Sequence, residues 1–505
     1  MSSNAALLSP LVFRTTARPL PPPVGACWPL ASRIWGCPAG TGESSDLLSP
    51  ADNALVQSLR LLDQTELARL VTPDFSDGPA PGDPAALWPF VTRLKAALDD
   101  FPPLLNAAMR LETGFVASDC DEMTEGAREY VRGFRRSWNE YAVQAADAAP
   151  APLVWRANAQ QERQIHLVRA PWGTVAVVLP QNAFLLLAVT CLLNALATGN
   201  RVILRAPLGS ARSAALLGLL LDRAGCPPGW VSVVLARARP FVHALQAAPG
   251  PCLIHYMGGS SHGADLLART FEANKAALID GEGNVWVWVG PDADPEATAD
   301  LLTRGAALRY NGQTCTSING AIIHPVVYAQ VRAALVARWS RLRVGNPLAE
   351  TEGSVGPLFD DAQAAWCEQQ VTESGGTILC GGERSGNRLA PTLVEEPRQN
   401  SGLVTNGVFG PVLWIASGER DDFARRWAAN RFPLCAGVLS PGARSSDASW
   451  WLGRLSNLAR LVMNGDPSEE CLWEPWGGYG ASGTNPVGAW ADKYRRVVQV
   501  DAPLV

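Results

Sequence analysis

Gly173-Thr-Val-Ala-Val-Val-Leu179, then Ala183-Phe-Leu-Leu-Leu-Ala-Val-Thr-Cys-Leu-Leu-Asn-Ala-Leu196, then Arg201-Val-Ile-Leu204, is the stretch that decides the fold class. The first run is short and rich in β-branched residues, which suits a buried strand. The second is longer, has helix length, and carries only Thr190 and Asn194 as polar breaks. The third returns to strand composition. Strand, helix and strand in so short a span require a crossover and therefore parallel pairing, right-handed in almost every case.

The alternation continues downstream. A helix is expected over 210–224, and Pro227-Pro-Gly229 punctuates the chain before a strand at 230–235. Another strand at 252–257 precedes a helix over 263–275. A second set begins at Asn284, with strands at 285–289 and 318–323 and helices at 295–309 and 326–342. Upstream, residues 86–147 predict two or three amphipathic helices, 152–169 a hairpin, and 51–72 a helix from the spacing of Leu55, Leu59, Leu62 and Leu67. The loop 72–84 and the Pro/Gly-rich residues 1–50 read as irregular, the latter as a loose extension. Arg14, Arg18 and Arg33 without acids suggest a transit peptide, but Pro19 and Pro21–Pro23 oppose the amphipathic helix it needs. The whole is an α/β protein.

The chain has 505 residues, of which 47% are apolar and 18% charged, enough to build large cores. A net charge of −5 gives nucleic acid or an anionic membrane no electrostatic reason to bind. The apolar run 183–196 is too short to span a bilayer. Eleven cysteines lie scattered without a CxxC pair, which argues against a metal site and for reduced thiols in the cytoplasm. Lys95, Lys275 and Lys493 are the only lysines, so Schiff-base chemistry has few candidates.

Two nucleophile motifs compete. Gly259-Ser-Ser-His-Gly263 fits a hydrolase elbow around Ser261. Only His262 and His324 follow it to complete a triad, so a tight turn into a helix N-terminus that faces a phosphate is the better reading. Tyr310-Asn-Gly-Gln-Thr-Cys315-Thr-Ser317 places a cysteine in a small, polar turn, as thiolate attack requires.

Around Cys315 the order of motifs resembles the aldehyde dehydrogenase superfamily. Leu111-Glu-Thr-Gly114, Pro171-Trp-Gly through Gln181-Asn182, Ala197-Thr-Gly through Arg205 and Gly225-Cys-Pro-Pro-Gly229 carry the first half. Asn311-Gly-Gln-Thr-Cys315, Gly345-Asn-Pro-Leu348 with Val355-Gly-Pro-Leu358, Ala390-Pro-Thr-Leu393, Val408-Phe-Gly-Pro-Val412 and Pro475-Trp-Gly-Gly through Gly483 carry the second.

The resemblance implies a Rossmann-type cofactor domain over 51–151 and 171–284 and an α/β catalytic domain over 285–483. A small β oligomerisation flap would take 152–170 and 484–505 and build homodimers or homotetramers. It implies oxidation of an aldehyde through a thiohemiacetal and thioester on Cys315, with Asn182 and the Cys315 N–H stabilising the oxyanion. Pro180, Arg205, Gly258, Gly259, Gly263 and Phe409 would bind NADP or NAD. Leu208 and Gly407 replace carboxylates that the family uses for ribose hydroxyls. Their loss removes repulsion of a 2′-phosphate, which Arg205 or Arg212 could pair. Asp280 falls where hydrolytic members carry a glutamate, and Glu282 two residues on is the other candidate base. Gly283-Asn284 also resembles CoA-acylating members, so acyl transfer to CoA and a catalytically silent assembly role stand as alternatives. Glu469 and Glu470 read as solvated. Trp473, Trp476 and Trp414 near the substrate mouth would favour a bulky or aromatic aldehyde.

Overall fold

The structure is a computed structural model that describes residues 32–71, 79–147, 153–158, 161–349 and 354–503. The expectations for residues 1–31 and for most of the 72–84 loop lie outside these.

The helices up to Trp339 are α1 (Gln64–Val71), α2 (Pro84–Asp99), α3 (Pro102–Thr113), α4 (Ala117–Asp147), α5 (Phe184–Ala197), α6 (Ala211–Arg223), α7 (Ala238–Ala247), α8 (Ser260–Glu272), α9 (Pro295–Thr303) and α10 (Pro325–Trp339). The first sheet holds β1 (Ser32–Ile34), β2 (Cys37–Ala39), β3 (Thr174–Val178), β4 (Arg201–Ala206), β5 (Val231–Leu235), β6 (Cys252–Met257) and β7 (Ala276–Asp280). Its order is β7-β6-β3-β4-β5-β1-β2, with β3 to β7 parallel and β1 antiparallel to β5. The chain leaves β3 in one direction through β4 and β5, then returns to β3's other side as β6. That reversal opens a crevice at the carboxyl ends of β3 and β6.

The second sheet holds β8 (Val285–Val289), β9 (Ile318–Ile323), β10 (Thr377–Cys380), β11 (Thr392–Glu395), β12 (Val412–Ser417), β13 (Cys435–Leu439) and β14 (Arg460–Met463), ordered β10-β11-β12-β9-β8-β13-β14. All five residues of β8 are buried. Val285, Val287 and Val289 pack in one core, whereas Trp286 and Trp288 pack in the other with Trp414, Phe423, Trp427 and Trp451. Strand periodicity thus splits Val-Trp-Val-Trp-Val between two cores. Burying one such tryptophan stabilises the fold by about 3 kcal/mol. A third sheet joins Leu153–Asn158, Gln161–Pro171 and the C-terminal Arg495–Pro503, all antiparallel.

Three expectations are corrected. Leu55–Arg60 is a strand, paired with Ser44–Leu48, and the helix starts only at Gln64. Leu59 and Leu47 are each 2% exposed while Leu55 and Leu48 face solvent, and the register shift between Leu47 and Leu48 sets Leu48 opposite Leu55 on the exposed side. The supposed loose extension contributes β1 and β2 to the first sheet. Trp35 N–H donates to Ser232 Oγ at 2.8 Å, and Leu235 N–H donates to Ser32 Oγ at 2.9 Å. The helix expected to reach Arg309 ends at Thr303 and continues as a wide turn over 304–308. The short α7 and β7 were not anticipated.

Candidate active site

After the 304–308 turn, Tyr310, Asn311 and Gly312 stand in succession in the left-handed region, at φ 50°, 55° and 66°. Such a run costs a tyrosine energy and must be held from outside. Tyr310 N–H donates to Asp119 Oδ2 at 2.9 Å, and its ring packs on Phe115 at 5.4 Å. Asn311, fully buried, donates to the Gly114 and Pro357 carbonyls at 3.2 Å and accepts from Gly356 N–H at 2.7 Å. Gly312 is obligatory, since a Cβ there would lie 2.4 Å from the Gly410 carbonyl oxygen. The reversal presents Cys315 in a turn closed by Thr314 and Ser317, whose hydroxyls are 2.8 Å apart. Gln313 is fully buried and its amide has no hydrogen-bond partner among the described residues. Burial pushes the half-buried Cys315 thiol well above its usual range, and the nearby charges of Glu470 and then Asp280 push it further.

Residues 281–284 link β7 of the first sheet to β8 of the second and run beside this turn. A Cβ on Gly281 would meet Ser260 Oγ at 2.6 Å, and one on Gly283 would sit 1.9 Å from the Cys315 carbonyl oxygen. Asp280 closes β7, where its carboxylate is buried in a polar cluster. His255 Nε2 lies 2.7 Å from Oδ2, and Asn485 Nδ2 donates to Oδ1 and Oδ2 at 3.0 and 3.3 Å. A carboxylate only accepts, so His255 carries its proton on Nε2, with Nδ1 2.9 Å from the Tyr494 hydroxyl. Burial alone would raise the Asp280 carboxyl. The bond from His255, then the charge of Lys493 and the bond from Asn485, outweigh it and hold it below the usual carboxylate range. Lys493 is pushed down to about 8 by burial, against the pull of Asp280. Glu282 turns the other way: its Oε2 accepts from Ser260 N–H at 2.9 Å, and its own N–H donates to Ser260 Oγ at 3.0 Å. It caps α8.

Asn182 lines a small cavity with Glu112, Phe115, Phe184 and Ser210. Phe115 also touches Tyr310, which ties the Asn182 loop to the start of the nucleophile turn. Glu112 caps α6 through Arg212 N–H at 2.5 Å and Ser213 N–H at 3.2 Å; burial raises its carboxyl to about 7, against the Ser213 hydrogen bond.

At the strand ends, Arg205 is half-buried and donates through Nε and Nη2 to the Ala236 carbonyl at 3.1 and 3.0 Å. Burial lowers it to about 10, so it stays cationic at neutral pH. Pro180 is likewise half-buried just beyond β3. Gly258 and Gly259 leave bare backbone ahead of α8: a Cβ on Gly258 would meet Tyr256 Oη at 2.8 Å, whereas Gly259 has only His262 within 4 Å. Bare backbone, one cation and the start of a 13-residue helix suit the phosphates of a nucleotide in charge, with Glu282 the anion set against them. Gly263 sits inside α8, where its smallness serves packing: a Cβ would lie 2.7 Å from Ile279 Cγ2. Phe409 lies 6.3 Å from Phe359, ring to ring. At Gly407, φ is +69° and a Cβ would lie 2.1 Å from Asn319 Oδ1, so no side chain fits there. Arg212 is 6% exposed.

Several aromatic expectations change. Trp414 is core, edge-on to Trp286 at 5.1 Å. Trp473 stacks on Tyr130 at 4.3 Å and covers Gly133 of α4. Trp476 is half-buried, and its carbonyl accepts from Lys493 Nζ at 2.5 Å. Glu470, read as solvated, turns its carboxyl end inward although much of the residue stays exposed. Thr316 Oγ1 donates to its Oε1 at 2.9 Å. Loss of hydration raises that carboxyl above its usual range; the Thr316 bond opposes this, and the charge of Glu474 adds to it.

Two mostly parallel sheets joined beside a strained cysteine turn, with a crevice at one sheet's switch point, define an α/β enzyme class. The chain belongs to the aldehyde dehydrogenase family, whose model matches residues 89–501, and is an oxidoreductase acting on aldehydes. It is 33% identical over 285 residues to aspartate-semialdehyde dehydrogenase 1 of Pseudomonas canavaninivorans, a match covering 55% of this chain and 59% of that one. With vanillin dehydrogenase of Pseudomonas fluorescens the identity is 28%, covering 64% of this chain and 68% of the relative. The fold is similar to succinate-semialdehyde dehydrogenase from Burkholderia pseudomallei (TM-score 0.82, 20% identity, 94% and 98% covered). It is also similar to an E. coli NADP-dependent enzyme (TM-score 0.81, 21% identity, 94% and 98% covered). Among the described residues no helix is long and apolar enough to cross a membrane.

Proposed function

We propose that the protein oxidises an aldehyde to a carboxylic acid through a thioester on Cys315, with NADP or NAD as cofactor. The observation that supports it is the strained 310–312 turn. Three left-handed residues and a fully used Asn311 amide serve to place one half-buried cysteine beside the inter-sheet link. Cys315 Sγ attacks the carbonyl carbon. Asn182 Nδ2 and the Cys315 N–H donate to the oxyanion, whose stabilisation is the largest electrostatic contribution in such reactions. A bound nicotinamide cofactor supplies the hydride acceptor. Arg205, Pro180, Gly258 and Gly259 hold it, and Phe409 borders it. Because Gly407 admits no side chain and Leu208 is apolar, no carboxylate at either position repels a 2′-phosphate, and NADP binds at least as well as NAD. The acyl group then leaves Cys315 to water. The three-stranded sheet with exposed Leu167, Val497 and Val500 is the surface through which subunits join as dimers or tetramers in the cytoplasm.

The test is cofactor reduction with succinate semialdehyde, aspartate semialdehyde, betaine aldehyde and vanillin, with and without CoA. Turnover without CoA that is lost in Cys315→Ala supports the reading. A wild type that stalls after one turnover until CoA is added replaces the hydrolytic reading with the acylating one.

A further inference from the structure

We propose that Glu470 is the base that activates the hydrolytic water at acyl-Cys315, a role for which the sequence suggests Asp280 or Glu282; the inference rests on the thioester reading above. Three observations carry it. Thr316, next in the chain to Cys315 and only 2% exposed, donates its hydroxyl to Glu470 Oε1 at 2.9 Å, which fixes the carboxylate beside the nucleophile turn. Of the charged groups acting on the Cys315 thiol, Glu470 acts most strongly, ahead of Asp280. Its Oε2 has no hydrogen-bond donor among the described residues, which leaves that oxygen free to accept a proton from water.

The other two carboxylates are committed elsewhere. Both Asp280 oxygens accept from Asn485, and Oδ2 also from His255, so taking a water proton there means breaking buried hydrogen bonds. Glu282 caps α8. Around Glu470 stand Glu474 from its own loop, Arg460 from β14 and Arg309 from the segment before the nucleophile turn. The arginines are partly occupied, Arg460 by Glu474 and backbone carbonyls and Arg309 by Glu122 and the Ser468 carbonyl. Desolvation therefore prevails, and the carboxyl is a stronger base than a solvated glutamate.

The step balances without a redox partner. Glu470 takes one proton from water as the water oxygen bonds to the thioester carbonyl carbon. The tetrahedral intermediate collapses, the C–S bond breaks, and the carboxylic acid leaves. The Cys315 thiolate recovers a proton from Glu470 or solvent.

p-Nitrophenyl acetate tests this without cofactor, because it acylates a thiol directly. The wild type should release a burst of p-nitrophenolate and then turn over steadily. Glu470→Gln should keep the burst and melt like the wild type. Its deacylation should slow by about a hundredfold or more, the usual worth of a general base, with acetyl-Cys315 accumulating by intact mass. The rising limb of its deacylation pH profile should flatten, and Glu470→Asp should recover part of the rate. Hydroxylamine, which attacks thioesters without base assistance, should restore turnover in Glu470→Gln, a rescue that a merely structural defect would not show. Deacylation in Glu470→Gln within about threefold of wild type, or a lost burst in a folded protein, overturns the proposal alone. A wild type without a Cys315-dependent burst overturns the thioester reading as well.

Discussion

Gly283 runs against the carbonyl of Cys315 so closely that a Cβ at position 283 would lie 1.9 Å from that oxygen. The link between the two sheets and the nucleophile turn therefore pack as one unit. Gly283→Ala must push them apart. Overpacking of this kind costs about 1–3 kcal/mol, and a nucleophile displaced by about 1 Å loses on the order of a hundredfold in rate. Urea melts and steady-state cofactor reduction measure the two effects. An alanine variant with wild-type activity would show that the contact places nothing.

The Asp280 cluster predicts a pH-dependent stability. Its carboxyl is held below the ordinary 3.8 in the folded state, so it contributes stability that is complete above that value and drains as pH falls through the folded value. Asp280→Asn removes an acceptor for His255 and the counter-charge of Lys493. Breaking a buried pair by one partner costs about 3 kcal/mol. Unfolding curves at pH 7 and pH 4 should show the variant weaker by a similar amount at both, the gap closing only as pH falls below 3.8. Equal stability of the two proteins at pH 7 would contradict the cluster's role.

Much of this was legible from composition. β6, β8 and β9 coincide with the expected strands, and in β8 five β-branched or aromatic residues in a row leave no helical face. Leu55–Arg60 was not legible, since Leu55, Leu59 and Leu62 have helical spacing and only pairing with Ser44–Leu48 reveals the strand. In the site, Cys315 was visible from its turn. Glu470 was not: 154 residues separate it from Thr316, and nothing local in Ser468-Glu-Glu-Cys471 tells the inward glutamate from its neighbour. The strain at Tyr310 was equally hidden, because left-handed tyrosine has no sequence signature.

Glu282 sets a carboxylate on the first N–H of α8, where a cofactor phosphate would otherwise be favoured. Glu282→Ala should therefore tighten cofactor binding by about threefold to tenfold, corresponding to roughly 1 kcal/mol of relieved repulsion. Part of that gain should disappear at high salt. Titration of both cofactors by tryptophan quenching measures it. Unchanged or weaker binding of both would mean that the helix start does not face the phosphates.

Cys315 itself should behave as a reluctant thiol in the free enzyme. Burial and the charge of Glu470 favour the neutral form, so its reaction with iodoacetamide should still be accelerating with pH at the ordinary thiol value of 9.0. The exposed Cys37 and Cys471 would react in the same experiment, so the rate must be read from the peptide that contains Cys315. Glu470→Gln removes the leading negative charge and should move the Cys315 profile to lower pH, because the thiolate then faces less repulsion. Asp280→Asn should move it in the same direction by less, as the second of the two charges. A wild-type profile already level by pH 8 would show a pre-activated thiolate, incompatible with carboxylate control of this cysteine.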